Sequence, residues 1–384
     1  MRITLVEPYY TGSHAAWARE YAAASRHRVE LLTLPGRNWK WRMHGGAVTL
    51  ASRFLESPGR PDLILATDML DLATFLALTR KKSAGCRCAI YFHENQLTYP
   101  WSPTDPDRER QRDLHYAFVN YTSALAADAV LFNSAYHRQS FLSALPGFLK
   151  RFPDAVEPGT VERIAQKSCV LPLGLDLASL DRHRPDAQPQ DGAPLILWNH
   201  RWEFDKAPEQ FFATLYALAE EGLDFRLAVA GESFGRAPAV FEEARLRLAD
   251  RVVQWGYLES FAQYARLLWR ADLLPVTSHQ EFFGASVVQA LYCGCTALLP
   301  DRLAYPEHVP AQAQASVVYR QEESLAGRLG ALLRRWPCRE PLRDAVSLYD
   351  WSAMAPCYDA LLEDVASGDH GMAGWGELAG KRVK

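Results

Sequence analysis

The stretch Cys88-Ala-Ile-Tyr-Phe-His-Glu-Asn-Gln-Leu-Thr-Tyr-Pro-Trp101 changes character halfway along. Cys88–Phe92 is continuously apolar, as a strand covered on both faces of a parallel sheet should be. His93, Glu94, Asn95 and Gln96 follow without a gap, and Tyr99 and Trp101 close the run. Open parallel sheets bind their ligands beyond the carboxyl ends of strands. The polar run therefore stands where such a sheet would keep its chemistry, provided the rest of the chain repeats the pattern.

It does. Ile3–Val6, Val29–Leu34, Leu63–Ala66 and Ala129–Phe132 also read as strands, and His14–Ser25, Leu70–Lys82 and Arg112–Ala127 carry apolar residues at helical spacing. Strands alternating with helices argue for a parallel sheet covered on both faces. The alternation breaks at Arg182–Pro194, which has three prolines and no periodicity. It resumes with strands at Leu195–Trp198, Phe225–Ala230, Val252–Trp255, Leu273–Val276 and Thr296–Leu299. Helices at Ala207–Glu221, Pro238–Ala249, Phe261–Arg270 and Ser286–Cys293 lie between them. The expectation is an α/β protein with two doubly wound domains, residues 1–184 and 185–349, joined by a hinge and facing each other across a cleft. A last helix within 350–367 is expected to pack back toward the N-terminal domain, and a Gly-rich tail, 368–384, to be mobile.

The bulk properties agree. A chain of 384 residues exceeds one ordinary core. With 48% hydrophobic and 23% charged residues it has globular composition. No apolar run is long enough to span a bilayer, and the N-terminus lacks a secretory signal, so a cytoplasmic protein with no membrane partner is expected. The seven cysteines include two C-x-C pairs, Cys86/Cys88 and Cys293/Cys295, and no second knuckle at zinc spacing, so they read as reduced thiols. Net charge is -3, unevenly divided. Residues 1–184 hold 23 Lys and Arg against 18 Asp and Glu, and the remainder holds 19 against 27. The N-terminal half tolerates a polyanion better.

Other strand ends are polar too. Tyr9-Tyr-Thr-Gly-Ser-His14 places a Gly turn before a helix, where backbone N–H groups can meet an anion or Ser13 can cap. Asn199-His-Arg-Trp-Glu-Phe-Asp-Lys206 sets Arg201 and Lys206 beside a helix start, which suits a diphosphate or makes two solvated charges. Ala230-Gly-Glu-Ser-Phe234 is a nucleotide loop or a plain turn. In Glu281-Phe-Phe-Gly-Ala-Ser-Val-Val-Gln289 a Glu opens a Gly turn, and Gln289 lies about two helical turns on. No nucleophile elbow, metal cage or Walker motif is present.

Together these stretches resemble the GT-B family 4 glycosyltransferases, and more narrowly the tRNA-queuosine mannosyltransferase family. The resemblance is carried by Glu7–His14, Thr33-Leu-Pro-Gly-Arg-Asn-Trp-Lys-Trp-Arg42, Tyr91–Pro100, Val130-Leu-Phe-Asn-Ser134, His200–Lys206, Trp255-Gly-Tyr-Leu258, Glu281–Gly284 and Tyr292-Cys-Gly-Cys295. It implies two Rossmann-like domains and retaining transfer of mannose from GDP-mannose to the cyclopentenediol of queuosine at the wobble position of tRNA-Asp. No catalytic metal or other cofactor is implied. His93, Arg201, Lys206 and Glu281 would be catalytic. Gly12, Ser13, Arg201, Lys206, Gly231, Glu232, Glu281, Phe282, Phe283, Gly284 and Gln289 would hold the donor. His14, Trp39, Trp41, Arg42, Asn95, Gln96, Tyr99 and Asn133 would hold the acceptor. Gln289 departs from the family 4 pattern, which has Glu there to grip the ribose. Asn95, Gln96 and Tyr99 either hold the acceptor or brace their loop, and Trp39 and Trp41 either meet RNA or fill the core. Arg37 and Lys40 beside the tryptophans, Arg80-Lys-Lys82, and Arg108, Arg110 and Arg112 are further candidates for RNA backbone. Two alternatives stay open: a family 4 enzyme with a lipid or polysaccharide acceptor, and an inactive RNA-binding protein on the same scaffold. Oligomeric state is not legible.

Overall fold

A computed structural model describes residues 1–102, 105, 107, 113–186, 192–233, 238–320, 325–337 and 342–368. The expected tail, the middle of the proline-containing break, and Arg108, Arg110 and Arg112 lie outside the described residues. The chain forms two compact units. One comprises Met1–Leu175 with Trp351–Lys384, the other Asp176–Asp350.

The first unit holds six parallel strands: β1 (Arg2–Tyr10), β2 (Arg28–Pro35), β3 (Leu63–Thr67), β4 (Arg87–Phe92), β5 (Ala129–Phe132) and β6 (Ser168–Val170). Their order across the sheet is β2-β1-β3-β4-β5-β6. Every residue of β3 and β5 is buried. Such strands have no solvent face, which is why they read as unbroken apolar runs. The chain leaves β1 for one side of the sheet and returns to its other side as β3, so the switch in strand order falls between β1 and β3. The helix Trp39–Glu56 was not among the expected helices. It buries Met43, Gly46, Ala47, Leu50, Ala51 and Phe54, a three-and-four spacing around a Gly-Gly pair.

The helix Trp351–Ser367 belongs to this first unit. Its Asp359 is 2% exposed and accepts from Tyr21 Oη at 3.0 Å, Ser25 Oγ at 2.5 Å and Arg26 N at 2.8 Å. Trp351 Nε1 donates to Glu20 Oε2 at 2.8 Å, and Tyr358 Oη donates to Pro172 O at 2.9 Å. A Cβ on Gly174 would lie 2.5 Å from the Trp351 ring, so that position needs glycine.

The second unit repeats the arrangement. Its strands are β7 (Leu195–Trp198), β8 (Arg226–Val229), β9 (Val252–Trp255), β10 (Leu273–Pro275), β11 (Thr296–Pro300) and β12 (Val318–Tyr319). They lie parallel in the order β12-β11-β10-β7-β8-β9, with the switch between β7 and β10. Residues 176–184, expected in the first domain, fall in the second unit. Trp269 Nε1 donates to Leu180 O at 2.8 Å, and Arg343 Nη2 meets both Asp181 oxygens at 2.8 Å. The chain changes unit at Leu175/Asp176, before the prolines, because these contacts hold 176–184 in place.

Candidate active site

Each unit gathers its charged side chains at its own switch point, where parting connections leave a crevice. In the first unit, Glu7 near the end of β1 is fully buried. Its Oε1 accepts from Tyr9 N at 2.6 Å, and its Oε2 lies 2.9 Å from His14 Nδ1. His14 stands in the first turn of the helix Gly12–Ala24, whose Thr11 N-cap makes no side-chain hydrogen bond. Asp68 follows β3 directly and accepts from His93 N at 2.8 Å. The His14 and His93 rings have centroids 4.3 Å apart, tilted by 42°. Trp17 meets His93 edge-on at 4.6 Å.

The two histidines differ in charge. Burial would lower the His14 pKa, but the charge and hydrogen bond of Glu7, with Asp68 and Glu94 behind them, raise it to about 9. His14 is an imidazolium at neutral pH. Burial holds His93 well below 6.5, and the positive charge of His14 adds to this, so His93 is neutral. Burial also pushes the Asp68 carboxyl well above its usual range, against the pull of His14. Glu7, His14 and His93 are the residues whose carboxylate and ring nitrogens come within 4.8 Å of one another, the composition of a cation site among the described residues. Beside Glu7 the His14 ring favours its protonated form at neutral pH.

Several residues expected to hold the acceptor are hydrogen-bonded within the first unit. Asn133 donates to His93 O at 2.9 Å and contacts His137 Nδ1 at 2.8 Å through Oδ1, so both ends of its amide are engaged. Asn95 is fully buried and accepts from Leu97 N, Thr98 N and Thr98 Oγ1, closing the loop on itself. Gln96 bonds Asn120 through its backbone and Glu94 through its amide. Tyr99 N donates to Asn95 O, and its side chain is partly exposed. Trp39 packs on Met43, Met69, Tyr116 and Val119. Trp41 is 64% exposed. Arg42 Nε donates to Pro35 O. Lys40 is neutralised by Asp105 at 2.6 Å and Asp107 at 2.7 Å, and Lys82 donates to carbonyls of Phe54 and Ser57 at the end of a helix. Arg37 is exposed, as are Gly12 and Ser13 at the helix start.

In the second unit, the loops after β7 and β10 meet. Lys206, only 5% exposed, donates to Gln280 O at 2.7 Å and lies 3.1 Å from Asp205 and 3.5 Å from Glu281. Glu281 Oε1 accepts from Phe282 N at 3.0 Å and from Phe283 N at 3.4 Å. Burial opposes its charge, yet Lys206, the Phe283 N–H and Arg201 keep its carboxyl below the usual range. Burial, with Lys206 beside it, drops His200 to about 3, so His200 adds no cation. Arg201 is 46% exposed and lies 3.4 Å from Glu203. Gly284 caps the following helix at φ 92°, in the region glycine tolerates. Gly231, at φ 130°, has no room for a side chain: a Cβ would lie 2.0 Å from His200 O. That close approach lets Glu232 O accept from Trp202 N at 3.0 Å, although the Glu232 side chain is exposed. Gln289 Oε1, expected to meet a ribose, accepts from Tyr264 Oη at 3.0 Å.

The sequence reading had singled out neither Glu7 nor Asp68 as a working group. Both obey its own rule, a polar residue at the end of an apolar strand. Asp205, Tyr264 and Asn199 complete the second site.

Two doubly wound parallel units, the second with a buried lysine beside two carboxylates at its switch point, have the architecture of GT-B glycosyltransferases. The solved structures agree on the fold. Sucrose-phosphate synthase from Thermosynechococcus elongatus aligns over 96% of this chain and 100% of its own, with TM-score 0.68 and 16% identity. The Anabaena protein HepE, solved with UDP, aligns over 95% of this chain and 100% of its own, with TM-score 0.62 and 16% identity. Residues 2–175 match the family described as tRNA-queuosine alpha-mannosyltransferase N-terminal, and residues 180–346 match glycosyl transferases group 1. The tRNA-queuosine alpha-mannosyltransferase of Drosophila melanogaster is 33% identical over 317 residues, covering 81% of this chain and 82% of that protein. A GDP-mannose-dependent phosphatidylinositol dimannoside mannosyltransferase of Mycobacterium tuberculosis is 24% identical over 68% of this chain and 63% of its own length. The chain belongs to the tRNA-queuosine alpha-mannosyltransferase family.

Proposed function

We propose that the protein transfers mannose from GDP-mannose to the cyclopentenediol of queuosine at the wobble position of tRNA-Asp, retaining the anomeric configuration and working without a metal. The observation that carries this reading is the 33% identity to the fly enzyme over 317 residues, more than either unit contains. The name of the mycobacterial relative supports GDP-mannose as donor.

The second unit supplies the groups that a departing diphosphate needs. An ammonium has three donors. Gln280 O takes one from Lys206, and the two carboxylates fix its position, so it is held ready to meet charge as it develops. Arg201, about half exposed, is the partner that can grip the diphosphate through two donors. Glu281 keeps its carboxylate and accepts from sugar hydroxyls. Gln289 offers its amide near the ribose without a charge. In the first unit, neutral His93 orients the attacking hydroxyl. The attack occurs on the face the leaving group departs from, and a phosphate oxygen takes the acceptor proton, so no second carboxylate is required. The acceptor tRNA meets the first unit through exposed Trp41 and Arg37 and half-buried Arg42.

Isothermal titration tests the donor side. GDP should bind at least tenfold more tightly than UDP, and α-mannosidase should release the transferred sugar. Equal affinity for both nucleotides, or a β-linked product, would refute the reading, as would loss of transfer in excess chelator.

A further inference from the structure

Glu7 has no solvent contact, and both of its oxygens are committed, one to Tyr9 N and one to His14. The only polar atom His14 has left is Nε2, and its side chain keeps 10% of its surface exposed. Neutral His93 lies tilted beside it, and its main chain is pinned by Asp68 and Asn133. The pair thus sets two imidazoles of different charge side by side.

We propose that Glu7 and His14 form a dyad that fixes the acceptor: Glu7 holds the imidazole through Nδ1, and His14 Nε2–H donates to the hydroxyl of the diol that does not attack. The proposal rests on the diol acceptor argued above. A permanent cationic donor on the attacking oxygen would draw electron density from it and weaken it as a nucleophile toward the anomeric carbon. The neighbouring oxygen has no such duty and accepts readily from an imidazolium. His93, without charge, suits the attacking hydroxyl. Two similar hydroxyls are thereby told apart by the protonation state of the ring that each meets. His14 is the residue that touches substrate, and Glu7 is a positioning residue. The groups facing His14 are Glu7 and the Tyr9 ring edge from β1, Asp68 after β3, and His93 and Glu94 after β4.

The test is a set of pH–rate profiles for hexose transfer to queuosine-containing tRNA, with GDP-mannose saturating, for the wild type, Glu7→Gln and His14→Gln. Wild-type kcat/KM for tRNA should fall on the alkaline side with a midpoint near 9. Glu7→Gln should move that midpoint down toward 6.5 and lower kcat/KM at pH 8 by about tenfold, the worth of one hydrogen bond to a charged group. KM for GDP-mannose should change less than about twofold, since RT sets that as under half a kcal/mol. His14→Gln, whose amide donates at every pH, should lose the alkaline limb and mannosylate both hydroxyls. An unmoved limb in Glu7→Gln, or an unchanged limb and product in His14→Gln, overturns the dyad. If Glu7→Gln fails to fold by circular dichroism, His14→Gln alone decides. A divalent metal found at one per chain by atomic emission, whose chelation abolishes transfer, would put an ion where the proton is argued to be and also overturn the dyad. A wild-type protein that binds GDP but transfers nothing to the diol would instead sink the acceptor reading itself.

Discussion

Lys206 and Arg201 share a loop but not an environment. Lys206 is buried against two carboxylates, whereas Arg201 is about half exposed. Removing the lysine leaves Asp205 and Glu281 facing each other without a counter-charge. Lys206→Ala should therefore weaken GDP binding more than tenfold and destabilise the fold by about 3 kcal/mol in urea unfolding. Arg201→Ala should weaken GDP binding comparably while stability stays within about 0.5 kcal/mol. Equal stability losses in both variants would contradict the difference in burial. The spacing of the two cations was legible in the sequence, because both lie in one short loop after an apolar strand. The role of Glu7 was not. It meets His14 seven residues on, but the other groups around His14, Asp68, His93 and Glu94, reach it only because β1 lies beside β3 and β3 beside β4.

Ten of the twelve strands announced themselves as apolar runs, and β3, β5, β7 and β11 are buried along their whole length, which leaves no polar alternation to confuse them. β6 and β12 did not. They have three and two residues, lie at sheet edges, and are too short to show any period. The helix Trp39–Glu56 was obscured by its aromatic-basic start, where Trp39 and Trp41 fitted either RNA contact or the core, and by its Gly-Gly pair. Gly231 and Asp359 hold two of these pieces together. Gly231→Ala would drive a Cβ into His200 O at a positive φ. It should destabilise the second unit by about 2–3 kcal/mol, visible as a lower urea midpoint. Asp359→Ala strands three donors at the helix Trp351–Ser367 and should cost about 3 kcal/mol, while Asp359→Asn should recover part of that. A neutral outcome for Asp359→Ala would mean that this helix is not needed to stabilise the first unit.

The stability of the whole protein should carry the signature of His14. Its pKa is raised from 6.5 to about 9 on folding. A raised pKa contributes stability that is complete below 6.5 and declines as pH rises through 9. The contribution is about 3 kcal/mol, and Glu7→Gln should flatten the dependence of the urea midpoint over that window. Charge is a weaker guide to the partner. Of the basic candidates among the described residues, Lys40 and Lys82 are already occupied within the fold, which leaves exposed Arg37, Arg80 and Lys81 and half-buried Arg42 on the first unit. Replacing any one that meets a phosphate with Ala should reduce the salt slope of tRNA binding by about one. Among the described residues, no helix is long and apolar enough to cross a membrane. The central claim, that mannose passes from GDP-mannose to queuosine in tRNA-Asp, is tested most directly by incubating the two with the protein, digesting the tRNA and weighing its nucleosides. The account predicts that queuosine is replaced by a species heavier by one hexose, with GDP-mannose but not UDP-glucose, and in wild type but not Lys206→Ala. Queuosine recovered at its original mass after exhaustive incubation would contradict it.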